Sequence, residues 1–290
     1  MGVGETSTGR GARGRGTGTA LARARQEQIV ARIREEGSVR VSDLVELLGV
    51  SDMTIRRDLD VLEGRGDVEK VHGGAVLRTP SADEPGFEVK QHRALLEKDA
   101  IARAAMTLVQ PGASIALSAG TTTWALAKML AAAPWLDLTV VTNSANVWMA
   151  FQRVPDHGHR VVLTGGMFRT PSDALVGPIA DAAIRSLFVD VLFLGVHGMD
   201  PEAGYTTPNL SEAETDRTMI SRARRLVVLA DHSKWRTIGL STMAPLSAAS
   251  VLVTDDGLPS EARAILQDEV DELLIAPTHG RNGEALDLEA

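Results

Sequence analysis

Residues 51–63 read Ser51-Asp-Met-Thr-Ile-Arg-Arg-Asp-Leu-Asp-Val-Leu-Glu63, and their pattern is helical. Ser51 suits an N-cap, because its hydroxyl can accept from a free amide of the first turn. Ile55, Leu59 and Leu62 recur at i, i+4 and i+7, one face of a helix. Met53, Thr54, Arg56 and Arg57 then lie near the helix start, at least three of them turned away from the apolar stripe. Paired arginines beside a threonine at that end suit a helix that reads base edges in a major groove. There an arginine can grip guanine with two hydrogen bonds.

The flanks agree. Val41, Leu44, Val45 and Leu48 share one face of a shorter segment that Gly49 ends, so Gly49-Val50-Ser51 becomes a tight turn between two helices. Downstream, Asp67–Val71 and His72–Arg78 read as two strands joined by a Gly-Gly turn. A first helix is expected over Ala22–Glu36, with Ile29, Val30 and Ile33 inward. The assembly predicted for residues 21–78 is a winged helix-turn-helix. Ser51, Met53, Thr54, Arg56 and Arg57, with His72 and Gly73 at the hairpin, are its candidate DNA contacts.

Charge qualifies this reading. The formal net charge of −8 argues against a general attraction to nucleic acid. Residues 1–25 carry five arginines against Glu5, or +4, whereas residues 26–78 carry eight basic and eleven acidic side chains, or −3. Affinity must come from a few placed arginines and helix N-termini, which makes it depend on dimerisation. Residues 1–20, mostly Gly, Thr, Ser and Arg, bury too little to offset chain entropy and are expected to form a disordered basic arm.

At 290 residues the chain has room for about two domains. No apolar run approaches the ~18 residues of a membrane span, and the N-terminus lacks the apolar core of a signal peptide. There is no cysteine, hence no disulfide framework or thiolate site. The seven histidines show no metal spacing, and no cofactor motif is present. A cytoplasmic protein is the expectation.

Thr79–Gly86 is turn-rich and reads as an interdomain linker. Residues 87–278 form the second domain, and 279–290 a loose tail. The domain opens with a helix expected over Phe87–Met106, burying Leu95, Ile101, Ala102 and Ala105. Strands are then predicted at Ser114–Leu117, Leu138–Thr142, Arg160–Thr164, Asp190–Val196, Leu226–Ala230, Val251–Thr254 and Leu273–Ala276. Helices fall between most of them, which implies an α/β domain built on a mostly parallel sheet covered on both faces.

Ligands of such sheets sit at the carboxyl ends of the strands. Ser118-Ala-Gly120-Thr-Thr-Thr123 joins a strand to a helix, and small residues, hydroxyls and a helix N-terminus suit an anion. A simple capped helix start is the alternative. Thr142-Asn-Ser144, Thr164-Gly-Gly166, Gly195-Val-His-Gly198 and Ala230-Asp-His-Ser-Lys234 are the other polar or glycine-rich exits. Lys234 could meet a phosphate as a point charge. An enzyme here would draw its acid or base from Asp231, His197, His232 or Asp200. A strand-end Asp231 that caps the next turn is the plainer reading.

The run from Arg25 through Ile29 and Ile33 to Ser51-x-x-Thr54-Ile-Arg-Arg-Asp-Leu59, with His72-Gly-Gly-Ala75, resembles the DNA-binding signature of DeoR-type transcriptional repressors. The five strand exits resemble the same family's effector domain, related in fold to ribose-5-phosphate isomerase and sugar-phosphate deaminases. The resemblance covers roughly residues 21–276. It implies a homo-oligomer, at least a dimer, that represses carbohydrate-metabolism genes. A phosphorylated sugar or related metabolite would release it from double-stranded operator DNA. Carried over, Gly120, Thr121, Thr122 and Thr123 would hold the phosphate, with Asn143, Gly165, Gly166 and Lys234 lining the pocket. The family commonly has Asp where this chain has Ser118, which removes an acceptor for sugar hydroxyls. The competing reading is a sugar-phosphate isomerase or deaminase with an appended DNA-binding module.

Overall fold

The computed structural model describes residues 15–36, 38–65, 67–71, 73–77, 84–155, 158–168 and 170–278. The chain divides into two compact units, Met1–Thr79 and Pro80–Ala290.

The first unit runs α1 (Arg15–Glu36), β1 (Ser38–Arg40), α2 (Val41–Leu48), α3 (Asp52–Gly64), β2 (Val68–Val71) and β3 (Gly74–Leu77). Ile29, Ile33, Leu44, Ile55, Leu59 and Leu62 meet in its core, each at most 2% exposed. Gly49 ends α2 in the left-handed region at φ 62°, which turns the chain into α3. α1 begins at Arg15, ahead of the expected start at Ala22, so part of the stretch read as a disordered arm is helical. Extending an established helix adds one hydrogen bond per residue ordered, so it proceeds beyond the apolar periodicity. β1 was not anticipated. It pairs antiparallel with β3, which pairs with β2. Gly74 permits this, since a Cβ there would stand 2.1 Å from the Val39 carbonyl oxygen.

The second unit opens with α4 (Phe87–Lys90) and α5 (Leu95–Met106). One continuous helix was expected here; the structure breaks it at Ala94, which has φ 51°. The break has a chemical cause. The buried Lys98 ammonium donates to the carbonyls of Lys90 and Arg93, both at 2.6 Å, and so terminates the first turn from the side. Leu95, expected inside, is 51% exposed at the start of the second helix, while Ile101, Ala102 and Ala105 are buried.

There follow β4 (Ser114–Leu117), α6 (Thr121–Ala131), β5 (Thr139–Thr142), α7 (Ala145–Gln152), β6 (Arg160–Leu163), α8 (Pro178–Arg185), β7 (Val189–Gly195), β8 (Gly198–Asp200), β9 (Gly204–Thr207), α9 (Leu210–Ile220), β10 (Ala223–Leu229), β11 (Ser241–Ala244), β12 (Val251–Asp255), α10 (Ser260–Glu269) and β13 (Leu273–Ala276). Seven strands form one parallel sheet in the order β13-β12-β10-β7-β4-β5-β6. One face packs on α5, α6 and α7 through residues such as Ile101, Leu126 and Phe151. The other packs on α8, α9 and α10 through Ile184, Met219 and Leu266.

β8, β9 and β11 form a second, antiparallel sheet that the sequence reading missed. These strands are three or four residues long and lack alternation, and they close through glycines. A Cβ at Gly198 would lie 1.9 Å from the Thr237 oxygen, and one at Gly204 2.3 Å from the Ala244 oxygen. Among the described residues, no helix is long and apolar enough to cross a membrane.

Candidate functional sites

In the first unit the candidate site is the exposed start of α3. Ser51 caps it, its Oγ accepting from the Thr54 amide at 3.3 Å and lying 2.9 Å from the Thr54 hydroxyl. With Ile55, Leu59 and Leu62 buried, Met53, Arg56 and Arg57 are left in solvent, Met53 at 64% exposure. Arg56 is paired one turn back with Asp52, Nε to Oδ1 at 2.6 Å. Gly73 turns the hairpin at φ 81° and is exposed; His72 lies outside the described residues.

Asp58 was missed. It falls on the apolar side of α3, is 4% exposed, and accepts from Arg25 at 2.5 Å and Gln26 at 2.8 Å. Arg65 donates to the same Gln26 at 3.1 Å. This network fixes α3 against α1, and a lone carboxylate within the stripe 55, 58, 59, 62 was its signal. Lys70 ties β2 to the other side of α3 by pairing with Asp60 at 2.5 Å.

In the second unit the predicted exits belong to β10, β7, β4, β5 and β6, which are consecutive in the sheet. The strand order reverses between β4 and β7, and a ligand crevice belongs at such a switch point. Ser118, 1% exposed, ends β4 and accepts from the Gly195 amide at the end of β7, 3.0 Å away. Its hydroxyl therefore braces the two exits. Gly120 follows at φ 147°, a conformation that favours glycine, and α6 starts with no side-chain cap. Thr121 and Thr122 are each 8% exposed in the first turn. The Thr123 hydroxyl turns back to the Gly120 carbonyl at 3.0 Å. What remains for an anion is a set of backbone amides at the positive end of a helix.

Asn143 is 1% exposed and acts as a spacer: its Oδ1 accepts from the Ala119 amide at 3.0 Å and its backbone carbonyl from Leu175 at 2.7 Å. At the β6 exit, Gly165 and Gly166 have φ 70° and 127°. A Cβ at Gly166 would meet the Val176 oxygen at 2.8 Å and the Ala180 Cβ at 3.0 Å, so this glycine serves close packing under α8.

At the β10 exit, Asp231 caps the short turn that carries Lys234, accepting from the Ser233 amide at 3.1 Å. Burial pushes the Asp231 carboxyl up, but Lys234, the Ser233 hydroxyl, Lys98 and His232 outweigh it and hold it below its usual value. Lys98 is the second residue that sequence reasoning missed. It lies on the stripe of Ile101, Ala102 and Ala105, is 6% exposed, and burial lowers its ammonium to about 8 despite Asp231. Burial lowers His197 to about 4, with Lys234 and Lys90 adding to the effect. Lys98, Lys234, Asp231 and His197 thus share one electrostatic neighbourhood beside the β7 and β10 exits. Beside it, Asp255 accepts from both the backbone amide and the ring Nδ1 of His232, each at 2.7 Å.

Comparison with known proteins places both units. A DeoR-like helix-turn-helix domain matches residues 25–81, and a DeoR C-terminal sensor domain matches residues 93–256. The chain is 35% identical to the HTH-type transcriptional regulator GlpR of Haloferax volcanii over 82% of its own length and 91% of the relative's. It is 34% identical to the HTH-type transcriptional regulator GolR of Listeria innocua over 84% and 94%. It is 28% identical to the HTH-type transcriptional repressor CsqR of Escherichia coli K12 over 86% and 94%. Among solved structures it is similar to ribose 5-phosphate isomerase A of Methanocaldococcus jannaschii, at 18% identity and a TM-score of 0.36, over 48% of this chain and 53% of that one.

Proposed function

Because this chain belongs to the DeoR family of DNA-binding transcriptional regulators, we propose that it represses carbohydrate-metabolism genes and leaves its operator when a phosphorylated sugar fills the strand-exit site. In this reading α3 enters a major groove with Ser51, Met53, Thr54, Arg56 and Arg57 toward the DNA, and His72 and Gly73 reach it from the hairpin. The chain acts in the cytoplasm as a homo-oligomer, at least a dimer, matched to a two-fold operator.

One observation carries the effector assignment. The uncapped first turn of α6 stands at the topological switch point, beside the Ser118–Gly195 brace. The phosphate takes the amides of Thr121–Thr123, and the sugar extends toward Lys234. Asn143 and Gly166 hold the walls rather than touch the ligand. Regulation requires the effector to prefer the conformer that binds DNA poorly, since equal affinity for both would shift nothing.

The test is thermal unfolding of the purified protein against a panel of phosphorylated sugars and polyols. A ligand at about a hundred times its Kd adds roughly 2.7 kcal/mol of stability. A hit that also releases operator DNA supports the reading. A panel with no shift removes the sugar-phosphate assignment.

A further inference from the structure

We propose that Asp52 is a positioning residue for base reading: its carboxylate holds one edge of the Arg56 guanidinium and leaves the opposite fork whole for a guanine. The inference rests on the reading that Arg56 meets a base edge. Arg56 donates from Nε to Asp52 Oδ1 at 2.6 Å and from Nη2 to Asp52 Oδ2 at 3.3 Å. This is a side-on pair, two N–H groups against two oxygens. A guanidinium has five N–H groups in a rigid plane. The pair uses the Nε hydrogen and one on Nη2. The end-on edge, with the second Nη2 hydrogen and those of Nη1, stays available. That edge matches the two acceptors, O6 and N7, that guanine shows in the major groove.

Placement supports the assignment. Asp52 is the first residue of α3 and Arg56 lies one turn on, at the end of the helix that reading geometries direct at bases. Both side chains are 57% exposed, so the core does not need the pair. Among the described residues Arg57, the adjacent arginine, has no ion pair. A free arginine must surrender much rotamer freedom on docking, whereas a held one has already done so. The carboxylate also has a drawback at this position, because it repels DNA phosphates. A residue there only for helix stability would weaken binding to every sequence alike. A positioning residue trades general affinity for discrimination.

That trade defines the experiment. The full chain and its Asp52→Ala, Asp52→Asn, Arg56→Ala and Glu46→Ala variants are each selected against a randomised duplex library. Binding is then measured to the selected duplex and to a scrambled one. Glu46, exposed on α2, serves as the charge control. The expected result is that Asp52→Ala binds the scrambled duplex at least as well as the parent. It loses the guanine preference at the same position as Arg56→Ala, and its selected-to-scrambled ratio falls about tenfold, within the range of one base contact. Asp52→Asn, which keeps one accepting oxygen, loses part of the same preference, and Glu46→Ala leaves the ratio unchanged. If Asp52→Ala keeps a guanine preference that Arg56→Ala loses, the positioning role is overturned while Arg56 stays a reader. If Arg56→Ala keeps it too, the premise itself falls.

Discussion

Arg56 and Arg57 show how much one residue can carry when its surroundings are acidic. Residues 26–78 around them sum to −3, so in the proposed reading base recognition depends on these two guanidiniums and on amides at helix ends. Arg56→Ala or Arg57→Ala is expected to remove specific operator binding, about 1–3 kcal/mol per lost bidentate contact. The α-helical circular dichroism should stay unchanged, and an operator gel shift of parental strength in both variants would exclude the role. At the strand exits the informative pair is His232 and Asp255. The hydrogen bond that the imidazole donates to Asp255 raises it above its usual 6.5, against burial, and Asp255, Asp231 and Glu97 add charge to the same effect. A raised histidine stabilises fully below its unfolded value, and the gain fades as pH rises through the folded one. Asp255→Asn should therefore lower the melting temperature most near about pH 6 and less toward about pH 8. A difference that stays constant over that range would show that charge is not the cause. The arginines were legible from sequence because they flank an apolar stripe. The His232–Asp255 pair was not, since its members are 23 positions apart and meet only where β10 and β12 end side by side.

At the scale of elements, polar anchors place the helices more finely than apolar periodicity can. Asp58 joins α3 to α1 through Arg25 and Gln26, with side-chain exposures of 6% for Asp58 and 21% for Arg25. Asp58→Ala would leave Arg25 without its partner at a mostly buried site, and a loss of about 3 kcal/mol is expected. The Asp60→Ala change removes an exposed pair with Lys70 and should lose less than about 1 kcal/mol. Urea unfolding of both variants gives the comparison; equal losses would mean that burial of the Asp58 network contributes nothing. Lys98 plays the corresponding part for α4 and α5, where one buried ammonium on α5 takes the carbonyls of Lys90 and Arg93 at the end of α4. Periodicity showed a single helix because Ile101, Ala102 and Ala105 keep the same face, and no repeat records a side chain that reaches back to the carbonyls of an earlier turn.

For the whole molecule, the question is how effector and DNA sense each other. Coupling between two sites is commonly about 1–3 kcal/mol, and it is reciprocal. If a sugar phosphate weakens operator affinity by some factor, operator DNA must weaken sugar-phosphate affinity by the same factor. Titrating the effector calorimetrically with and without operator duplex checks this; unequal factors would mean that the two are not linked through one equilibrium. Lys234→Ala is expected to flatten the effector dose–response by about tenfold or more while operator affinity without effector stays at its parental value. An unchanged dose–response would take Lys234 out of the site.

The amino-acid sequence by itself determined the two-unit plan, seven strands of a mostly parallel sheet and the capped amphipathic helix α3. Each of these rests on local periodicity, turn chemistry and caps, which act over a few residues. Tertiary structure alone decided that five strand exits lie side by side, that Ser118 braces β4 to β7, and that Lys98 feels the charges of Asp231 and Lys234. It also decided the small antiparallel sheet, where Gly204 lets β9 approach the end of β11 and Gly198 lets the Thr237 carbonyl lie against β8. The reason is physical: hydrogen bonds and charge pairs between distant segments form only after the sheet has set their separation, and no local pattern encodes that distance.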